Sequence, residues 1–507
     1  MISLIKKASQ YLNNTAILSN GQSYTYQDLL AASAAFAAVL LDGAQDLNEK
    51  RVAFMVESSF DYVKTQWAIW RAGGVAVPLC ITYPLASLQY VIEDTGADII
   101  VVTPQYKAVL EQYALSKSLK FIVLEVSQSD KNLLSLSKKH LPNVTNDRRA
   151  MILYTSGTTN LPKGVVTTHR NLDAQIKSLI DAWAYSEHDR TICILPLHHV
   201  HGIMNVISCT LWAGGRVEFL SFHTEGVFAN FLKGETNVFM AVPTIYFKLI
   251  AYFDTLTTDK QKELTATMQR FRLMVSGSAA LPVSVMEKWE NVSGHRLLER
   301  YGMTEIGMGI SNPYAGERRA GHIGQPLKGV KTRLVDDNGK KVKAGEAGEI
   351  QIKGTTVFKE YWQKPQATEE TFTTDAWFKT GDVAVVENGY YRILGRNSID
   401  IIKSGGYKIS ALEIEEILRT HPNIADCSVV GIADEEWGEL VAAVLVLNTD
   451  VNAHLTPDAI DLAALNAWIR EKMPAYKTPR RYHIIQELPR NAMGKVTKND
   501  LKTYFVG

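Results

Sequence analysis

The stretch Tyr154-Thr-Ser-Gly-Thr-Thr-Asn-Leu-Pro-Lys-Gly-Val165 decides how this chain reads. Strand-forming residues at 150–154 feed a turn rich in hydroxyls and glycine. Gly157 and Gly164 let backbone N–H groups come close to an anion, and Ser156, Thr158 and Thr159 add donors. Lys163 brings a compact positive charge suited to phosphate. Glycine, not Ser or Thr, follows that lysine, so the P-loop pattern is not met. Most short Gly/Ser/Thr segments are polar surface loops. Three hydroxyls, two glycines and a lysine at this spacing point instead to phosphate.

Outward from the loop, helical and strand patterns alternate. Residues 26–42 and 60–71 read as Ala- and Leu-rich helices. The apolar runs 97–103, 191–197, 238–242 and 271–275 read as buried strands of mostly parallel sheets. After about residue 320 the texture changes to short strands at 332–335, 349–353 and 390–394, with turn signals at 337–339 and 387–389. Beyond 395–398 comes a compact block: helix 411–420, strands 427–432 and 441–447, helix 458–471 and strand 482–485. The expected fold class is therefore α/β and α+β, multidomain. A large N-terminal domain (1–394) carries a β-barrel-like subdomain (321–394), and a hinge (395–398) leads to a small α+β C-terminal domain (399–507).

Composition narrows the function. The chain has 507 residues with 54 Lys+Arg against 53 Asp+Glu, so no overall basic charge draws it to nucleic acid. Hydrophobic residues at 46% and charged ones at 21% suit a globular core rather than disorder. Cys80, Cys193, Cys209 and Cys427 lie far apart without zinc spacing, as expected for reduced, buried thiols. No apolar run reaches membrane-spanning length, so integral membrane association is not expected. The first twelve residues lack a signal-peptide core and read as a short amphipathic helix. A cytoplasmic location is expected. A mitochondrial presequence, hence the matrix, is the alternative, since residues 1–27 hold no acid.

Further motifs follow the loop in order: Pro196-Leu-His-His-Val-His-Gly202, Ser276-Gly-Ser-Ala-Ala-Leu-Pro282, Tyr301-Gly-Met-Thr-Glu305, Trp377-Phe-Lys-Thr-Gly-Asp382, Gly395-Arg396, Lys403-Ser-Gly-Gly-Tyr407 and Pro489-Arg-Asn-Ala-Met-Gly-Lys495. Together with the loop they resemble the adenylate-forming enzymes: acyl-CoA synthetases, luciferases and peptide-synthetase adenylation domains. The resemblance covers nearly the whole chain. It implies substrates ATP, CoA and a carboxylic acid, with Mg²⁺.

The resemblance also implies roles. ATP would lie against Thr155, Ser156, Gly157, Thr158, Thr159, Lys163, Ser276, Gly277, Ser278, Tyr301, Gly302 and Met303, with Asp382 on the ribose and Arg396 nearby. Glu305 would hold Mg²⁺, Thr304 would meet the α-phosphate, and Lys495 would bridge carboxylate and phosphate. Lys403, Ser404, Gly405 and Gly406 would meet CoA after rotation about Ser398, where the family usually has Asp or Lys. No carrier-protein segment is recognised.

The acid is read from two residues. His201 and Arg300 do not suit an apolar acyl pocket. An arginine there fits a substrate with a second carboxylate, gripped bidentately and assisted by a protonated or donating His201. A salt bridge to Glu299 is the competing explanation for Arg300. His199 would gate the acyl site. The pairing of His-His-Val-His-Gly with Glu-Arg-Tyr-Gly-Met-Thr-Glu resembles the malonyl-CoA synthetase branch. The implied activity is malonate or methylmalonate:CoA ligation, the alternative being short- or medium-chain fatty acyl-CoA synthesis.

Overall fold

The computed structural model describes residues 2–124, 141–155, 162–397, 399–448, 460–491 and 495–505. Two large sheets dominate. One has nine strands, in the order Gln325–Pro326, Gly307–Ser311, Leu298–Met303, Leu273–Ser276, Val238–Ala241, Arg190–Cys193, Arg216–Phe219, Thr15–Ser19 and Gln22–Thr25. The other has seven: Glu360–Tyr361, Lys163–Thr168, Arg149–Thr155, Val75–Pro78, Arg51–Met55, Ile99–Val102 and Lys120–Val123. Both are parallel in the middle and antiparallel at an edge. Every residue of Val75–Pro78, Ile99–Val102, Val238–Ala241 and Leu273–Ser276 is buried. Helices cover both faces of such strands, which is why they read as unbroken apolar runs.

The helices start where side chains satisfy their first amides. Thr25 and Asp28 form a capping box for Tyr26–Leu41, and Ser59 caps Phe60–Arg71. Trp67 and Trp70 of the latter sit in the main core. The short helix Ser3–Ala8 buries Leu4, Ile5 and Ala8, as an amphipathic reading requires. All four cysteines are buried and unpaired. No helix among the described residues is long and apolar enough to cross a membrane.

The β-rich segment corrects one expectation. Val330–Val335, Gly348–Gly354, Phe378–Glu387 and Tyr390–Arg396 form a four-stranded antiparallel sheet in that order, and no described ladder closes it into a barrel. Its outer strands meet only through side chains, Thr332 Oγ1 to Tyr391 Oη at 2.7 Å.

The last third holds a smaller sheet: Tyr407–Ser410, Ile401–Ser404, Gly438–Leu447 and Ile424–Asp434, with Arg481–Ile485 parallel to Gly438–Leu447. Helices Ala411–Leu418 and Leu462–Arg470 pack on it. Gly405 and Gly406 form the two-residue turn between Ile401–Ser404 and Tyr407–Ser410, at φ +54° and +82°. Two successive positive φ values favour glycine at both positions. This small part docks on the large one. Glu416 accepts from the Val283 amide at 3.2 Å, and Lys408 pairs with Asp337 at 2.6 Å.

Candidate active site

Lys163, near the end of the quoted stretch, opens strand Lys163–Thr168 and is paired with Thr155 across the ladder. Its ammonium lies 5.2 Å from the Tyr361 ring centroid. The Tyr361 hydroxyl donates to Glu305 Oε1 at 2.9 Å. Thr304 and Glu305 occupy the hairpin turn between Leu298–Met303 and Gly307–Ser311, not a helix. Burial raises the Glu305 pKa, opposed chiefly by the Tyr361 hydrogen bond. A buried carboxylate that is costly to ionise is a natural cation partner. Gly302, just before the turn, faces the Gly307 carbonyl so closely that a β-carbon would fall 2.2 Å from that oxygen.

Asp382 lies in strand Phe378–Glu387, directly opposite Arg396. Its Oδ2 accepts from the Tyr301 hydroxyl at 2.5 Å, and its Oδ1 is 3.7 Å from Arg396 Nε. Burial raises its pKa; Arg396 and Tyr301 counter that. Lys495 comes from the small part. Its turn is closed by Asn491, whose amide donates to Lys495 O at 2.9 Å and whose Oδ1 accepts from Lys495 N at 3.1 Å. The residue is exposed, with Asp382, Arg396, Arg300 and Glu305 close enough to act on its charge. Loss of hydration lowers its pKa; Asp382 and Glu305 oppose this, while Arg396 and Arg300 add to it. Lys495 thus stands near residues from three separate motifs.

The same region holds buried polar atoms without hydrogen-bond partners. Arg300 is 3% exposed, and its Nε and Nη2 have no hydrogen-bond partner. It makes no ion pair with Glu299 among the described residues; Glu299 Oε1 instead accepts from the Leu281 amide at 3.0 Å. Neighbouring strand residues project to opposite faces, which separates the two side chains. Burial pushes Arg300 down to about 9, with Glu299 opposing. His201 Nδ1 is 3.2 Å from Ser278 Oγ, while its Nε2 is buried without a partner. Burial first, then Arg300 and His199, holds the His201 pKa well below its ordinary value. That direction favours the donating alternative over the protonated one, with Nε2 the ring nitrogen left without a partner. His199 is likewise pushed down to about 3 by burial, His198 and Lys495. Nε2 of His198 and His199 and Oγ of Ser276 are also buried and unpartnered.

The fold brings together Lys163, Tyr301, Glu305, Asp382, Arg396, Lys495, His199, His201, Ser278, Arg300 and Gly277. Lys403, Ser404, Gly405 and Gly406 lie elsewhere: Lys403 N donates to Glu439, and Gly405 N to the Trp437 carbonyl at 2.9 Å. Ser156, Gly157, Thr158, Thr159 and Ser398 fall outside the described residues. Tyr361 was not anticipated. No local spacing marks it, because it reaches Glu305 through a strand paired with Val165 and Val166.

The sequence matches the model of the AMP-binding enzyme family over residues 4–362 and that of the AMP-binding enzyme C-terminal domain over 413–495. The chain belongs to the AMP-binding enzyme family. It is 40% identical to a mitochondrial malonate–CoA ligase of Xenopus laevis, covering 100% of this chain and 92% of the relative. It is 38% identical to a malonate–CoA ligase of Arabidopsis thaliana, over 98% and 87% respectively. The crystal structure of ATP-bound MatB from Rhodopseudomonas palustris superposes with a TM-score of 0.89 at 32% identity, covering 100% and 99% of the two chains.

Proposed function

We propose that this chain joins malonate, or methylmalonate, to coenzyme A at the expense of ATP, releasing AMP and pyrophosphate. One observation carries the choice of acid. Arg300 is a buried guanidinium with unused donors, sunk between Gly277 and His201. Leaving such a group unpaired is costly, and a substrate's second carboxylate offsets the cost by accepting two parallel N–H bonds. An alkyl chain would leave it orphaned. The names of the Xenopus and Arabidopsis relatives agree with this reading.

The first half-reaction joins two anions, so neutralisation and positioning dominate. A carboxylate oxygen of the acid attacks the α-phosphorus, and pyrophosphate leaves. Lys495 spans the acid and the α-phosphate, Thr304 donates to that phosphate, and Asp382, held by Tyr301, accepts from the ribose hydroxyls. Glu305 is the side chain that would hold Mg²⁺. It fits that ion: its carboxylate is desolvated, and no protein cage of three metal-ligating side chains occurs among the described residues. Mg²⁺ commonly takes one or two carboxylates and completes its shell with phosphate and water, neutralising phosphate charge. In the second half-reaction the CoA thiolate attacks the acyl carbonyl and AMP departs. Lys403 to Gly406 lie away from the cleft, so this step requires the small part to turn. Four unpaired cysteines suit a reducing compartment, cytoplasm or mitochondrial matrix.

The test is CoA-dependent AMP formation across malonate, methylmalonate, succinate, acetate, butyrate and octanoate, with wild type and Arg300→Ala. Malonate or methylmalonate should lead, and Arg300→Ala should remove that preference. A lead by butyrate or octanoate, indifferent to Arg300→Ala, would replace the reading with fatty acyl-CoA synthesis.

A further inference from the structure

Gly277 is expected against ATP, but its nearest neighbours lie on the acid's side. A β-carbon built on it would fall 2.5 Å from both Cζ and Nε of Arg300 and 2.8 Å from Nη1. All three nearest atoms belong to that one guanidinium. The φ of Gly277 is outside the left-handed region, so its backbone suits any L residue. What excludes a side chain here is Arg300, not conformation.

Neither backbone is free to step aside. Ser276 is in register with Glu299 in a parallel ladder, and Arg300 with Ser311 in an antiparallel one. On the other side, Ser278 sits at φ +73° with its hydroxyl 3.2 Å from His201 Nδ1. A methyl at position 277 would therefore displace the guanidinium. Arg300 is 3% exposed, so it has no solvent-facing orientation to fall back on.

We infer that Gly277 is a positioning residue for acid selectivity: its missing side chain is the slot in which Arg300 holds its guanidinium toward a substrate's second carboxylate. The inference rests on the dicarboxylate reading above and adds the residue that aims the arginine. Small differences of position matter here, because a bidentate pair needs both N–H groups aligned.

The test is a double-mutant cycle on the ratio of kcat/KM for malonate to that for butyrate. Wild type, Gly277→Ala, Arg300→Ala and the double variant are compared, with melting temperature as the folding control. Each single variant should lower the ratio about a hundredfold or more, as for a site that loses its polar partner. The double variant should be no worse than Arg300→Ala alone, since the displaced group is gone. Removing the guanidinium also relieves the overlap, so the double variant keeps the cycle measurable if Gly277→Ala folds poorly. If Arg300→Ala abolishes the malonate preference and Gly277→Ala keeps it, or the two losses add in full, the inference is overturned while the substrate reading stands. If wild type shows no malonate preference, both fall.

Discussion

Lys498 Nζ lies 2.6 Å from Asp400 Oδ1, an ion pair that ties the last helix, Lys498–Lys502, to the segment leading out of the large part. The same ammonium is 2.7 Å from Glu415 Oε1, and Asp400 Oδ2 accepts from the Arg396 amide at 3.0 Å. Burial by itself lowers the Lys498 pKa, but Glu415 and Asp400 overcome it, and the net direction is upward. The ammonium stays charged because buried Glu415 and half-buried Asp400 flank it.

Lys498→Met should therefore destabilise the fold strongly. It takes the ammonium from half-buried Asp400 and from buried Glu415, which keeps only Arg419 at 3.3 Å, and breaking a buried pair from one side costs about 3–5 kcal/mol. Urea unfolding of the full chain, followed by circular dichroism, reads this as a lowered midpoint for the transition that includes the small part. A loss below about 1 kcal/mol, typical of exposed pairs, would mean that water solvates Asp400 and Glu415.

Glu299 gives a pH test. Burial pushes its carboxyl up to about 8, with Glu416 adding to the rise and the Leu281 amide and Arg300 opposing. The folded state thus binds a proton more tightly than the unfolded chain does. Stability from this group is full below its ordinary carboxylate range and is lost as pH rises toward 8. Glu299→Gln removes the titration while keeping an oxygen for the Leu281 amide. Melting temperatures of the two proteins should agree near pH 5 and diverge by pH 8.5, with the variant the more stable. Parallel curves across that range would show that Glu299 is ionised throughout.

Much of this was legible in the sequence, for physical reasons that differ by element. Strands covered on both faces read as unbroken apolar runs, so 238–242 anticipated Val238–Ala241 closely. Short strands with Asn-Gly turns gave the β-rich segment, but closure depends on contacts such as Thr332 to Tyr391, which no local pattern encodes. Arg300 was visible as a misfit to an apolar pocket. Its seat against Gly277 was not, because strands Leu273–Ser276 and Leu298–Met303 meet only in three dimensions. The downward shift of the His201 pKa likewise comes from burial and from Arg300, not from the residue's type.

Glu416 reports on docking. Its Oε2 accepts from Val283 N at the first turn of helix Val283–Ser293, where a negative charge is favoured. Glu416→Ala should weaken docking by about 1 kcal/mol, or roughly fivefold in the docking equilibrium constant. Malonate-dependent ATP–pyrophosphate exchange should slow by a similar factor, and trypsin should cut near 396–403 faster. Glu416→Gln, which retains an acceptor oxygen, should lie between. Unchanged exchange and unchanged cleavage in Glu416→Ala would show that Lys408–Asp337 and the cleft contacts hold the small part unaided.

Lys495→Ala should separate the two half-reactions. The ammonium stands near Asp382, Glu305 and Arg300 in this arrangement, which is where the proposed reaction places adenylation. Removing one donor aimed at developing charge typically costs about 10²–10³-fold in rate. Pyrophosphate release from malonate and ATP should fall by that amount. Thioester formation from preformed malonyl-adenylate and CoA should change less than about threefold, since the small part turns and carries Lys495 out of the cleft. ATP binding, read by calorimetry, should persist because Tyr301, Asp382 and Lys163 remain. Equal losses in both half-reactions would mean that Lys495 supports the fold of the cleft rather than the first chemical step, and unchanged pyrophosphate release would remove it from the reaction.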